Sequence, residues 1–107
     1  MSLPWILLML AAACEVAWAI GLKFTEGFTR FWPSVFTLGT MALSVVLLGQ
    51  AMKSVPTGTA YAVWTGLGAA GTATLGMVLL GEPVSALRIA SLGLILAGVA
   101  GLKLAAG

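Results

Sequence analysis

The apolar residues of this chain are gathered into four long runs separated by short polar stretches. The runs cover about residues 3–22, 32–52, 58–80 and 86–104, and the gaps between them hold most of the charged residues. Each run is close to the 20 or so residues that a helix needs to cross a bilayer. The pattern predicts an all-α membrane protein, a single four-helix domain over residues 1–107.

The links between the runs carry ordinary helix signals. Pro33 can open the second helix, Gly81 and Pro83 can end the third, and Ser85 offers an N-cap to the fourth. Because the links are short, the helices are expected to run up and down in one bundle. The first run is expected to be a retained helix, since no Lys or Arg precedes it as in a signal peptide.

Composition supports a membrane protein and excludes several other classes. Hydrophobic residues make up 61% of the chain and charged residues 7%, far from the balance of a soluble domain. There is no His, one Cys and a net charge of +2, so we expect no metal site, no cofactor and no nucleic-acid partner. The chain is not expected to be an enzyme.

The basic residues give little instruction about orientation. Lys53 and Lys103 lie on one face of the predicted bundle, against Lys23, Arg30 and Arg88 on the other. Orientation normally follows an excess of Lys and Arg in short cytoplasmic loops. Insertion in both directions is therefore plausible; the alternative is that Arg88 lies too deep to count, or that other factors decide.

Glu15 is the acid that lies well inside a predicted span. It stands 12 residues after Leu3 and seven before Leu22, roughly 18 Å and 10 Å from the two ends of a helix. An intramembrane carboxylate marks a functional site by default, although a protonated Glu can also make a structural hydrogen bond between helices. Burial favours the neutral acid and a bound cation favours the carboxylate, so Glu15 can exchange protons for cations.

Four further residues could line a site around Glu15. Trp18 lies one turn further along the same helix face, and Ser44 carries the hydroxyl nearest the middle of the second span. Tyr61 and Trp64 share a stripe on the third helix. Each also has a structural alternative, since hydroxyls join helices in lipid and aromatic residues fill space.

A dimer would place Trp64 of one subunit at the same depth in the membrane as Glu15 of the other. Trp64 lies about seven residues into the third span, so its depth from one face is roughly 10 Å. In an antiparallel partner that depth is measured from the opposite face, which matches the depth of Glu15. We therefore predict an antiparallel, dual-topology homodimer in which the aromatic residues of one subunit meet the carboxylate of the other.

Small residues on the last two helices suggest motion or close packing. Gly66 and Gly68 could form a hinge in the third helix, or simply allow tight packing. The fourth helix carries small residues at helical spacing that could form a dimer-packing face: Ser91, Gly93, Ala97, Gly98 and Gly101.

Together these features resemble the small multidrug resistance family over essentially the whole chain. The resemblance rests on EVAWAIGLK at 15–23, GFTR at 27–30, PTGTAYAVWTG at 56–66 and GLK at 101–103. Within the family the chain looks most similar to the guanidinium exporters, because Trp18 stands where exporters of polyaromatic cations have a glycine.

The resemblance implies an antiparallel dimer in the bacterial inner membrane. It implies that both copies of Glu15 bind substrate or protons, and that Trp18 and Ser44 hydrogen-bond to the carboxylate. Tyr61 and Trp64 would line the site. The expected function is proton-coupled export of guanidinium and small substituted guanidinium cations.

Two other functions stay open at this point. One is a broad exporter of quaternary ammonium or aromatic cations, which cannot donate hydrogen bonds and would suit a polar, tight site less well. The other, from a different class, is a non-transporting membrane helper subunit or a passive channel.

Overall fold

The computed structural model describes residues 2–106, which form four helices and no strand: α1 (Leu3–Phe24), α2 (Phe31–Ala51), α3 (Thr57–Leu79) and α4 (Ala86–Ala106). All four are long and apolar enough to cross a membrane. The predicted all-α fold is confirmed, and each helix end lies within two residues of its predicted place.

Hydrogen bonds of Thr25 and a turn after it end α1. The Thr25 hydroxyl donates to the Leu22 carbonyl at 2.8 Å and accepts the Phe28 N–H at 3.2 Å. Glu26, Gly27 and Phe28 then have φ angles of 49°, 72° and 66°. Three successive left-handed residues turn the chain sharply, so α2 returns beside α1.

The start of α4 is capped as the sequence predicts. The backbone N–H of Arg88 donates to the Ser85 hydroxyl at 3.2 Å, which satisfies one of the free donors at a helix start. Before it, Gly81 has a φ of +69°, a conformation that favours glycine and lets the chain leave α3.

The helices pack unequally. α1 packs along both α2 and α3, whereas α4 packs along α3 and reaches α1 through Lys103, whose Nζ lies 4.9 Å from the centre of the Trp5 ring. None of the α4 residues is buried, and its leucines at 87, 94 and 104 are more than 70% exposed. The fourth helix is thus attached to the bundle mainly through α3.

The buried core occupies one end of the bundle, which we call the closed end: the end that carries the link between α2 and α3. Its members come from the first half of α1, the last turns of α2, the link that follows α2 and the first half of α3: Trp5, Leu8, Ala11, Ala12, Leu48, Ala51, Val55, Ala60, Val63 and Trp64. At the opposite, open end, which carries the other two links, a cleft lies between α1 and α3.

Candidate functional site

The cleft has a volume of about 580 Å³ and lies between the second halves of α1 and α3. α1 contributes Glu15, Ala19, Ile20 and Lys23, and α3 contributes Thr65, Gly68, Ala69, Thr72 and Ala73. Leu80 and Glu82 complete the lining beyond the end of α3. The cleft thus runs from the middle of the bundle to its open end.

Glu15 lies at the inner end of this cleft. In the observed helix it stands 12 residues after Leu3 and nine before Phe24, which places it roughly 18 Å and 14 Å from the two helix ends. Four residues earlier, Ala11 already belongs to the buried core. The carboxylate is therefore at the level where the closed end stops and the cleft begins.

Glycine makes room for this carboxylate. A Cβ built at Gly68 would overlap the Oε1 and Cδ atoms of Glu15. The Glu15 Oε1 atom is buried and has no hydrogen-bond partner within residues 2–106. Because an unsatisfied buried polar atom costs free energy, this oxygen is suited to receive a proton or the donor group of a ligand.

Trp18 lies beside the site but makes no hydrogen bond to it. Its ring is partly buried against the core cluster, and its Nε1 atom is buried without a partner among the described residues. The expected bond from Trp18 to Glu15 is therefore absent from this structure. A donor and an acceptor, both unsatisfied, stand three residues apart on α1.

Ser44 is fully buried but its hydroxyl is used elsewhere. It donates to the Ala11 carbonyl at 2.7 Å and accepts the Trp64 indole N–H at 3.0 Å. A hydroxyl has a single proton to donate, so the expected bond to the Glu15 carboxylate does not form here. Ser44 instead ties α1, α2 and α3 together.

Tyr61 and Trp64 form an aromatic pair on α3, with ring centroids 5.7 Å apart. Trp64 is buried in the core, whereas Tyr61 is 55% exposed. Neither lines the cleft. That they meet Glu15 of a partner subunit stays a prediction.

The two candidate hinge glycines both lie at close contacts. α3 is helical without interruption through them, and a Cβ at Gly66 would stand 2.7 Å from a methyl group of Val99 in α4. These contacts account for both glycines by packing. Their role as a hinge stays a prediction.

The small residues of α4 face open space. All five members of the proposed dimer-packing face are exposed: Ser91, Gly93, Ala97, Gly98 and Gly101. A Cβ at any of the three glycines would meet nothing within 4 Å. The face is available to a partner, and its role in a dimer stays a prediction.

The sequence analysis missed the α3 wall of the cleft and the charged residues at its mouth. Thr65, Gly68 and Thr72 follow each other at spacings of three and four, which places them on one helix stripe. That stripe was the available signal. The Thr72 hydroxyl is buried without a partner in the described part of the chain, as Glu15 Oε1 is.

Comparison with known proteins finds similar sequences over nearly the whole chain. A family model described as Small Multidrug Resistance protein matches residues 3–95. A guanidinium exporter of Yersinia pseudotuberculosis is 64% identical over 103 residues, covering 96% of this chain and 99% of the relative. A guanidinium exporter of Salmonella typhimurium is 55% identical over 104 residues, covering 97% and 99%. One of Citrobacter freundii is 55% identical over 102 residues, covering 95% and 97%.

Proposed function

Because this chain belongs to the small multidrug resistance family, we propose that it exports guanidinium and small substituted guanidinium cations in exchange for protons. Its four apolar helices and its family make it a multi-pass protein of the bacterial inner membrane. Relatives of more than half identity that are named guanidinium exporters support the choice of cargo. They also favour a transporter over an enzyme.

The observation that carries the proposal is the state of Glu15. Glu15 lines the cleft at mid-bundle, and one of its carboxylate oxygens is buried without a partner among the described residues. Burial favours the neutral acid, and a bound cation favours the carboxylate. One group can thus hold either a proton or the cation, so that loading one releases the other.

Guanidinium suits this carboxylate chemically. Its planar set of N–H donors can bind a carboxylate through two parallel hydrogen bonds, and an indole face attracts a cation. Trp18, one turn from Glu15, can supply that face, or its unpartnered N–H can steady the carboxylate. Thr65 and Thr72 add hydroxyls to the α3 wall.

The shape of the single chain favours an antiparallel homodimer. Its cleft reaches one end of the bundle, and the core cluster closes the other. Export needs access from both sides of the membrane, which a second copy in the opposite orientation would supply. The unpartnered face of α4 offers the surface on which the two copies can pack.

Purified protein in liposomes tests this function. With a proton gradient imposed, wild type should exchange guanidinium for protons, and Glu15→Gln should bind and move neither, because the amide has nearly the same shape but cannot carry the charge. Glu26→Gln, an exposed acid in the first link, is the matched control and should retain exchange. Guanidinium-driven proton flux in Glu15→Gln would refute the mechanism.

The same assay separates the alternatives. A broad exporter would transport quaternary ammonium cations as well as guanidinium, and the two would compete. A passive channel would let guanidinium pass without moving protons, and a helper subunit would give no flux. The proposal expects proton-coupled flux with guanidinium preferred.

A further inference from the structure

A second acid stands at the mouth of the cleft. Glu82 lines the cleft at its open end, and its carboxylate lies over Gly76, where a Cβ would come within 3.0 Å of both oxygens. The Arg88 guanidinium contacts Glu82 Oε1 at 3.4 Å, with both side chains more than 40% exposed. A carboxylate that already holds a guanidinium group thus marks the outer end of the path to Glu15.

We infer that Glu82 is a second cation-binding residue, which holds the guanidinium ion at the mouth of the cleft as it moves to or from Glu15. The Arg88 side chain, which contacts this carboxylate in the structure, acts as a tethered competitor. The inference rests on the proposed function, since it assigns a further residue to the same cleft.

The charges around the mouth favour such a group. Lys23 lines the cleft on the α1 side, and Arg88 lies at the start of α4, so two cations border the opening. Among the described residues that line the cleft, Glu82 is the acid at this end. Glu82 lowers the summed charge of these three side chains from +2 to +1 and so lessens the repulsion of an approaching guanidinium ion, which raises its local concentration.

The path between the two acids follows one helix. The Glu15 carboxylate lies against Gly68 and that of Glu82 against Gly76, which are eight residues apart on α3 and therefore separated by roughly 12 Å. Ala69, Thr72 and Ala73 line the interval. Small, uncharged side chains leave this stretch of the cleft free for a small cation to pass.

The ion pair between Arg88 and Glu82 is weak enough for a free guanidinium ion to replace the Arg88 side chain. The pair is joined by one hydrogen bond at 3.4 Å, longer than the usual 2.7–2.9 Å of a charged pair. Exposed ion pairs of this kind contribute little to stability. A free guanidinium ion can therefore displace the side chain without disturbing the fold.

The test measures KM and kcat for guanidinium in proteoliposomes for wild type, for variants of Glu82 and Arg88, and for a control acid. Glu82→Gln should raise KM by about 1.5- to fivefold, the range that an exposed ion pair supports, with kcat unchanged, because Glu82 acts on capture of the ion and not on the exchange at Glu15. Arg88→Gln should lower KM, since it removes the competitor. Glu26→Gln, which changes the same charge away from the cleft, should leave KM at the wild-type value.

The two variants of the ion pair are expected to change KM in opposite directions, and this distinguishes a role of Glu82 in cation binding from a structural role of the pair. If the ion pair only steadies the link between α3 and α4, Glu82→Gln and Arg88→Gln will raise KM alike, which would overturn the inference. So would an unchanged KM in Glu82→Gln. Glu82→Asp should restore most of the affinity, and added salt should weaken substrate affinity more in wild type than in Glu82→Gln. If wild type moves no guanidinium at all, the proposed function fails, and this inference with it.

Discussion

The carboxylate of Glu15 rests against the backbone of Gly68, so that the α3 helix has no room for a side chain at this position. The relationship makes one wall of the cleft depend on glycine for a steric reason. Gly68 was a candidate hinge, but the contact gives it a role that requires no bending.

Gly68→Ala should therefore reduce guanidinium exchange by at least about fivefold, because overpacking of about 1–3 kcal/mol displaces the Glu15 side chain from its place. Proteoliposome flux measures the loss. Gly58→Ala, near the start of the same helix with open space around it, is the control and should keep wild-type flux. Equal activity of the two variants would contradict the steric role.

Ser44→Ala should destabilise the fold. It leaves the Trp64 indole N–H and the Ala11 carbonyl without their shared partner, at a cost of about 1–2 kcal/mol. Denaturant or thermal unfolding in detergent would measure it. In the control variant Ser34→Ala, the hydroxyl that is removed bonds only to the Arg30 carbonyl at the start of its own helix, so its stability should stay near that of wild type. If the two variants lose the same stability, the hydrogen bonds of Ser44 to α1 and α3 make no special contribution.

Trp18→Gly should weaken guanidinium transport and admit bulkier, more apolar cations through the space that the indole vacates. Trp18 also packs against the core, so Trp18→Phe serves as the matched variant: it keeps a ring but lacks the N–H. We expect Trp18→Phe to lose guanidinium affinity without gaining bulkier substrates. Competition between guanidinium and a quaternary ammonium ion measures the substrate range. An unchanged substrate range in Trp18→Gly would refute the claim that the indole excludes bulkier cations.

The chain should insert in both orientations, given two basic residues on one face against three on the other. A cysteine added at the C-terminus, with Cys14 replaced by Ser, should be labelled by an impermeant reagent from both sides of the membrane. Several Lys added to the link between α2 and α3 should bias insertion and reduce transport, with recovery when an oppositely biased copy is coexpressed. Labelling from one side alone would refute the antiparallel dimer.

The bounds of the helices could be predicted closely because a lipid environment permits few backbone structures. Backbone groups in hydrocarbon must bond within their own helix, so apolar runs bounded by Pro33, Gly81 and Ser85 indicate the helix ends directly. The importance of Glu15 was equally predictable, since a charge in mid-membrane is costly.

The surroundings of Glu15 were less predictable, because they depend on how the helices rotate against each other. Ser44 has the right depth to reach the carboxylate, but α2 turns it toward Ala11 and Trp64 instead. Thr72 gave no signal alone, since its burial beside the cleft depends on the packing of α1 against α3. The depth of a residue in the membrane follows from counting residues along its helix. The direction in which its side chain points depends on tertiary contacts.

The division of the bundle into a packed end and a cleft also decides where the membrane voltage falls. Water that fills the cleft would conduct, so we expect the potential to stay nearly level from the open end to Glu15 and to fall mainly across the core around Leu8 and Val63. A charge crossing the full drop gains about 2.3 kcal/mol per 100 mV. We therefore expect voltage to act little on binding from the open end and strongly on the step that switches access.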